Sequence, residues 1–143
     1  MDLNTYCFKS IISRMSWTVL FHNDFDAEFL GLEESLQDEL LAHAKLLGEF
    51  GPNLGRPTVD VLKGSKYANM KELRFGWEGG VWRIAFAFDP KRQAILLVGG
   101  DKSGTDQRRF YKRLIAVADE RLDEHMASLA VLKAKERKYD KKT

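Results

Sequence analysis

Hydrophobic residues recur along this chain with two different spacings, and these spacings predict where helices and strands lie. Residues 17–22 are β-branched and aromatic, which is typical of a β-strand. The apolar residues that follow return every three or four positions, which predicts a helix capped at Asn23 or Asp24. Gly31 divides this helix into a pair, and the Gly-Pro sequence at 51–52 ends it. The apolar stripe of the pair consists of Phe25, Phe29, Leu32, Leu36, Leu40, Ala44 and Leu47.

The second half of the chain carries four further strand patterns. Glycines at 79 and 80 supply a tight turn between the second and third of them, and Asp89-Pro90 separates the third from the fourth. We therefore expect a four-stranded antiparallel meander, with the strand at 17–22 added at its edge. The four patterns occupy residues 58–63, 70–77, 81–89 and 93–99.

A last helix is predicted from a cap at Thr105 or Asp106 to about Ala134. The length of 143 residues suits one domain. We expect an extension at 1–15 that either is disordered or precedes a true start near Met15, an α+β domain at 16–135 and a charged, frayed tail at 136–143. The apolar stripe of the last helix consists of Phe110, Leu114, Val117, Leu122, Met126, Leu129 and Leu132.

Composition excludes several classes of protein and site. The chain has one cysteine, Cys7, so it cannot form an intramolecular disulfide. The longest apolar run, residues 94–98, is too short to span a membrane, and we expect a cytoplasmic protein without a membrane partner. The histidines at 22, 43 and 125 lack metal-ligand spacing, so no metal is expected. The glycine-rich run at 99–104 lacks the spacing of a phosphate-binding P-loop, so no nucleotide cofactor is expected.

Charge is divided unevenly along the chain. Residues 1–50 carry three Lys/Arg and nine Asp/Glu, a balance of −6, whereas residues 51–143 carry twenty and twelve, a balance of +8. This asymmetry indicates two surfaces with different partners, one of them suited to a polyanion. The alternative is that charged helices only keep a small protein in solution.

Three basic residues are candidates for chemistry on the predicted sheet. Period-two alternation places Arg74 and Arg83 on the same face, beside the small residues Ala85 and Ala87, which would leave room for a ligand. Lys102 follows the last strand in a glycine-rich turn. Arginine binds phosphate oxygens in a planar fork, and such cations stabilise the charge that develops when a ribose 2′-hydroxyl attacks a phosphodiester. The alternative is that these are outward arginines paired with Glu72 or with water.

Three segments follow one another along the chain: residues 70–74 (MKELR), 80–84 (GVWRI) and 94–102 (AILLVGGDK). In this order they resemble the core of RelE-superfamily toxins, closest to the phage Gp49-like/HigB branch. Residues 109–115 with 118–119 fit the last helix of the same group. The resemblance covers roughly residues 16–127. It implies a RelE-like fold with an N-terminal helical pair, an antiparallel sheet of four to five strands and a C-terminal helix.

The resemblance also implies a function. It indicates the toxin of a type II toxin–antitoxin module, a metal-independent endoribonuclease that cuts mRNA on the ribosome and is neutralised by a HigA-like helix-turn-helix antitoxin. The alternatives are a ParE-like inhibitor of DNA gyrase and an inactive phage-derived protein that only binds its antitoxin. Carried over by motif, the catalytic candidates are Arg74, Arg83 and Lys102. The RNA-binding candidates are Lys71, Glu72, Arg108, Tyr111 and Lys112.

Overall fold

The computed structural model describes residues 17–102, 104 and 106–142, in which a five-stranded sheet lies between two helical layers. This arrangement confirms the predicted α+β class. The predicted extension at 1–15, Cys7 and the alternative cap Thr105 lie outside the described residues. The strands are β1 (Thr18–Phe21), β2 (Val59–Val61), β3 (Lys71–Trp77), β4 (Gly80–Phe88) and β5 (Gln93–Asp101). The helices are α1 (Asn23–Leu30), α2 (Glu34–Phe50) and α3 (Gln107–Lys142), with a 3-10 turn at Gly51–Asn53.

The strand order in the sheet is β1-β5-β4-β3-β2. The antiparallel meander from β2 to β5 confirms the sequence prediction. β1 joins the free edge of β5, also as predicted, but it runs parallel to that strand and makes the sheet mixed. A parallel pair needs a long crossover connection, which α1, α2 and the rest of the meander provide here.

The helical pair α1–α2 packs on one face of the sheet, which we call the helical-pair face. Its core includes Phe25, Leu40 and Leu47 from the helices, all at most 2% exposed, against alternate strand residues such as Leu73 and Ile84. The pair breaks at Gly31 and ends at Gly51, as predicted. The cap differs from the prediction, because the His22 side chain, and not Asn23 or Asp24, accepts a hydrogen bond at the start of α1.

Helix α3 packs on the opposite face of the sheet, which we call the α3 face. Leu114, Ala118 and Leu122 from the helix are buried against Ala85 and Ala87 from β4. Close approach is possible because β5 has no side chain at Gly100, where a Cβ atom would stand 3.2 Å from the Phe110 ring. Because helices cover both faces, small residues that look ligand-facing in the sequence are part of the core.

Helix α3 is longer than the sequence predicted. Its 36 residues run to Lys142, beyond the expected end near Ala134, since the residues in between are mostly lysine, arginine and glutamate, which favour helix. Arg121 anchors the helix with a bidentate ion pair to Glu28 and a 2.7 Å hydrogen bond to the Leu97 carbonyl. In the described part of the chain, no helix combines the length and apolar character needed to cross a membrane.

Candidate functional site

The paired strands β3 and β4 place Arg74 and Arg83 directly opposite each other. Both lie on the α3 face, because Arg83 alternates with Ala85 and Ala87, which α3 covers. The predicted sharing of one face by the two arginines is therefore confirmed.

Glu72 lies between the two guanidinium groups. Its Oε1 atom is 3.5 Å from Arg74 Nε and 3.8 Å from Arg83 Nε, and it accepts a 3.1 Å hydrogen bond from the Tyr111 hydroxyl of α3. Arg83 also donates through Nη1 to the Val81 carbonyl at 3.1 Å, while its buried Nε makes no hydrogen bond within the described residues. The pairing with Glu72 that the sequence left open as an alternative is thus present.

Burial dominates the electrostatics of this cluster. It raises the pKa of the Glu72 carboxyl, and the Tyr111 hydrogen bond and the charges of Arg74 and Arg83 only partly oppose that rise. Burial also raises the pKa of the Tyr111 hydroxyl, with the Glu72 charge as the second cause. Neither arginine binds the Glu72 carboxylate in a bidentate fork. The two positive charges therefore lower the pKa of Glu72 by less than burial raises it.

The two arginines differ in access to solvent. The Arg83 side chain is 6% exposed, whereas the Arg74 side chain is 38% exposed. The expectation that Ala85 and Ala87 leave room for a ligand is wrong, because α3 buries both of them. Arg74 is therefore the one of the pair that a ligand can reach in this conformation.

Lys102 lies at the same end of the sheet. It follows β5, whose last register pairs are Arg83 with Gly100 and Trp82 with Asp101. Its ammonium group donates a 3.2 Å hydrogen bond to the Gln107 side chain in the first turn of α3. Lys102 thus lies two residues along the chain from Gly100, the β5 partner of Arg83.

The first turns of α3 are strongly basic. Arg108 and Lys112, both predicted, are exposed there, as are Arg109 and Arg113, which the candidate list omitted although the charge pattern contained them. Asp106 accepts a hydrogen bond from the Arg108 backbone and so caps the helix. Each cation near a helix N-terminus is unfavourable by about 0.3–1 kcal/mol, because the positive end of the helix dipole repels it. A bound anion would offset this repulsion.

Lys71 does not join the other candidates. It pairs with Phe86, a residue of the helical-pair core, and alternates with Glu72, so it lies on the opposite face of the sheet. The structure therefore does not bring Lys71 together with the other candidates, because neighbouring residues of a strand point to opposite sides.

The fold gathers His22, Asp24 and Glu124, whose candidate ligand atoms all lie within 4.8 Å of one another. Sequence spacing could not find this group, because Glu124 comes from α3. The arrangement does not suit a metal ion. His22 Nδ1 accepts a hydrogen bond from the Asp24 backbone, so the proton of the neutral ring is assigned to Nε2, which faces Glu124 at 3.2 Å. A metal bound at Nε2 would require the ring proton to move to Nδ1. Nδ1 could then no longer accept the hydrogen bond that caps α1.

An antiparallel meander with a parallel edge strand, an N-terminal helical pair and a C-terminal helix together define a RelE-like α+β domain. Residues 27–123 match the family of phage-derived Gp49-like proteins, and the chain belongs to that family.

Two proteins of Mycobacterium tuberculosis (strain ATCC 25618 / H37Rv) whose names class them as toxins are similar to this chain. HigB2 is 45% identical over 112 residues, which cover 78% of this chain and 55% of HigB2. HigB3 is 46% identical over 100 residues, which cover 70% of this chain and 85% of HigB3. The match thus spans about half the length of HigB2. No solved structure is significantly similar to the chain.

Proposed function

We propose that this chain is the toxin of a type II toxin–antitoxin module and that it cleaves mRNA on the ribosome without a metal ion. The observation that carries the proposal is the cross-strand pair of Arg74 and Arg83, which Glu72 links to Tyr111 in the basic first turns of α3. Lys102 follows β5 two residues after Gly100, the partner of Arg83. The toxin names of HigB2 and HigB3 support the same role.

The reaction proposed is attack of a ribose 2′-hydroxyl on the adjacent phosphorus. The new bond from O2′ to phosphorus forms as the bond to O5′ breaks, which leaves a 2′,3′-cyclic phosphate and a 5′-hydroxyl. The 2′-hydroxyl loses its proton to a base, and the departing O5′ gains one. Positive groups fixed in advance at the phosphate stabilise the charge that develops in the transition state.

Each cation has its own role in this proposal. Arg74, the exposed one, binds the scissile phosphate through its planar fork. Arg83 stays behind it, bound to the Val81 carbonyl, and adds positive charge while Glu72 and Tyr111 fix the pair in place. Lys102 stabilises the transition state or carries a proton.

The RNA strand on either side of the cut needs further contacts. Arg108 and Lys112 contact its backbone in this proposal, since both are exposed beside the pair. A HigA-like helix-turn-helix antitoxin neutralises the protein by covering this basic surface, because complementary charge speeds and orients docking.

The test is primer extension on mRNA from cells that express the wild type or an alanine variant of Arg74, Arg83 or Lys102. The wild type should create new ends only within translated regions. Loss of one charge-stabilising donor typically lowers the rate about 100- to 1,000-fold, so each variant should lose both cleavage and growth arrest. Arg74→Lys should also fail, because lysine lacks the bidentate fork.

The matched control is Arg137→Ala, which removes an exposed arginine far along α3 and should leave cleavage unchanged. An unchanged melting temperature shows that each variant is folded. If all three alanine variants of the trio cleave like the wild type, the site is misplaced. Growth arrest with gyrase-linked DNA breaks and no mRNA cleavage would instead establish a gyrase inhibitor.

A further inference from the structure

A groove of about 250 Å³ opens on the α3 face next to Arg74. Gly76 alternates with Arg74 along β3 and pairs with Val81 on β4, so Gly76 and Val81 form the row that follows the paired arginines. The two rows are about 7 Å apart along the strands, a distance that one nucleotide can bridge. The lining residues are Pro57, Thr58, Arg74, Phe75, Gly76 and Val81.

The walls of the groove are fixed and largely apolar. Pro57 and Thr58 form one side, and the Thr58 carbonyl accepts a 2.7 Å hydrogen bond from the Arg74 backbone, which ties that side to β3. Val81 forms the other side and is 38% exposed. None of the described lining residues is acidic, and the Arg74 guanidinium supplies the charge.

The floor of the groove is open only because residue 76 is glycine. Gly76 is exposed and is absent from the glycines that have positive φ, so its backbone conformation would accept a side chain. A Cβ atom there would meet the Gly80 carbonyl oxygen at 3.8 Å, an ordinary contact. Neither the backbone nor the packing requires glycine, and a glycine in a strand often marks the close approach of a ligand.

We infer that this groove receives the unpaired nucleobase of the nucleotide whose phosphate lies on Arg74, and so selects where the RNA is cut. The inference rests on the proposed function and adds a base-reading subsite to it. A base with flat apolar faces, joined through its sugar to a phosphate, matches a shallow groove with apolar sides, one guanidinium and no carboxylate among the described lining residues.

The experiment maps cleavage ends in a purified translation system with the full chain and a test mRNA. Gly76→Leu fills the floor of the groove. It should cut roughly tenfold or more slowly at the preferred sites, or lose the preference for the base beside the cut. Gly76→Ala should show a smaller change in the same direction. The matched control, Gly55→Leu, places the same side chain where nothing lies within 4 Å of a Cβ atom, and should cut like the wild type.

The melting temperature of each variant reports on folding, and Gly76→Ala is tested instead if Gly76→Leu does not fold. A folded Gly76→Leu that cuts the same sites at the same relative rates overturns the inference while the proposed function stands. Loss of antitoxin binding with unchanged cleavage also overturns it and assigns the groove to a protein partner. A wild type that cuts no mRNA overturns the proposed function and the subsite with it.

Discussion

At the scale of single residues, a costly feature is the buried pair of Glu72 and Arg83, which the half-buried Tyr111 joins through its hydrogen bond to Glu72. Glu72 and Arg83 are 6% and 5% exposed, and burial of charges rarely stabilises a fold. The buried Nε of Arg83, which lacks a hydrogen bond within the described residues, adds to the cost. Such an arrangement fits a group that positions Arg74 for a ligand better than one that stabilises the sheet.

Replacement of Glu72 by glutamine should reveal the cost of burying the Glu72 charge, because the stability difference between this variant and the wild type should depend on pH. The folded state raises the pKa of this carboxyl, so its ionised form is disfavoured in the fold relative to the unfolded chain. The contribution of Glu72 to stability is therefore greatest below its ordinary pKa and declines as pH rises through the raised one. The free energy of unfolding of Glu72→Gln, relative to the wild type, should increase as pH rises from about 4 to 7.

Urea unfolding of both proteins at several pH values measures this difference. In Glu72→Gln, Arg83 lacks a counter-charge at every pH. This effect is constant and does not change how the difference in unfolding free energy varies with pH. A difference in unfolding free energy that does not vary with pH would contradict the prediction.

At the scale of elements, α3 has two parts with different surroundings. Its first half completes the α3 face, whereas most residues from 127 onward are exposed. Arg121 lies near the end of the packed part, 12% exposed at its side chain, and joins α3 to Glu28 of α1 and to β5. This one side chain links elements from both sides of the sheet.

Arg121→Ala should lower the free energy of unfolding by about 2–3 kcal/mol, because the Leu97 carbonyl would lose a charged donor. The half-exposed Glu28 contributes little to this figure. Arg137→Ala, an exposed arginine of the same helix, should change stability by less than about 0.5 kcal/mol. Equal stability of the two variants in urea titrations would show that the Arg121 contacts do not hold the helix.

The packing of the helical pair is tested by Leu40→Asp. Leu40 is fully buried between α2 and the sheet, so the aspartate would be an unpaired buried charge and should abolish cooperative unfolding. Leu132→Asp, at a leucine of α3 that is 47% exposed, is the control and should melt like the wild type. An unshifted melting curve for Leu40→Asp would refute this packing.

Periodicity was sufficient to predict the meander, the break at Gly31 and the shared face of Arg74 and Arg83, because alternation within a strand is a local property. It could not predict what covers that face. Ala85 and Ala87 would look the same beside a ligand or beside a helix, and only the return of α3 decides between them. The groove at Gly76 was missed for the same reason, since Pro57 reaches it from a separate loop.

At the scale of the whole molecule, charge is separated between elements. Residues 23–50 carry eight acids and one lysine, a balance of −7, whereas α3 carries eleven Lys/Arg and six Asp/Glu, a balance of +5. These charges lie on opposite faces of the sheet, because the helical pair and α3 cover different sides. The molecule therefore offers two surfaces of opposite sign to its partners.

Charge reversal should show which surface the antitoxin binds. With Glu33, Glu34 and Asp38 all changed to lysine, affinity should stay within about threefold of the wild type, because we propose that the antitoxin covers the basic face. Arg108→Glu with Lys112→Glu should weaken binding roughly tenfold or more. Titration calorimetry measures the affinity of both variants for the antitoxin. A large loss of affinity in the acidic-helix variant, with little loss in the Arg108/Lys112 variant, would indicate an antitoxin that clamps the acidic helices.

The parallel pairing of β1 with β5 determines the order in which the chain can assemble during synthesis. Thr18 pairs with Gln93, which lies 75 positions further along the chain, whereas the strands of the meander pair with their neighbours in sequence. Contacts so distant in sequence form slowly, and β1 has no strand partner until β5 has emerged from the ribosome. The nascent chain therefore carries β1 without its sheet partner until then, although Val19 of that strand is fully buried in the folded protein.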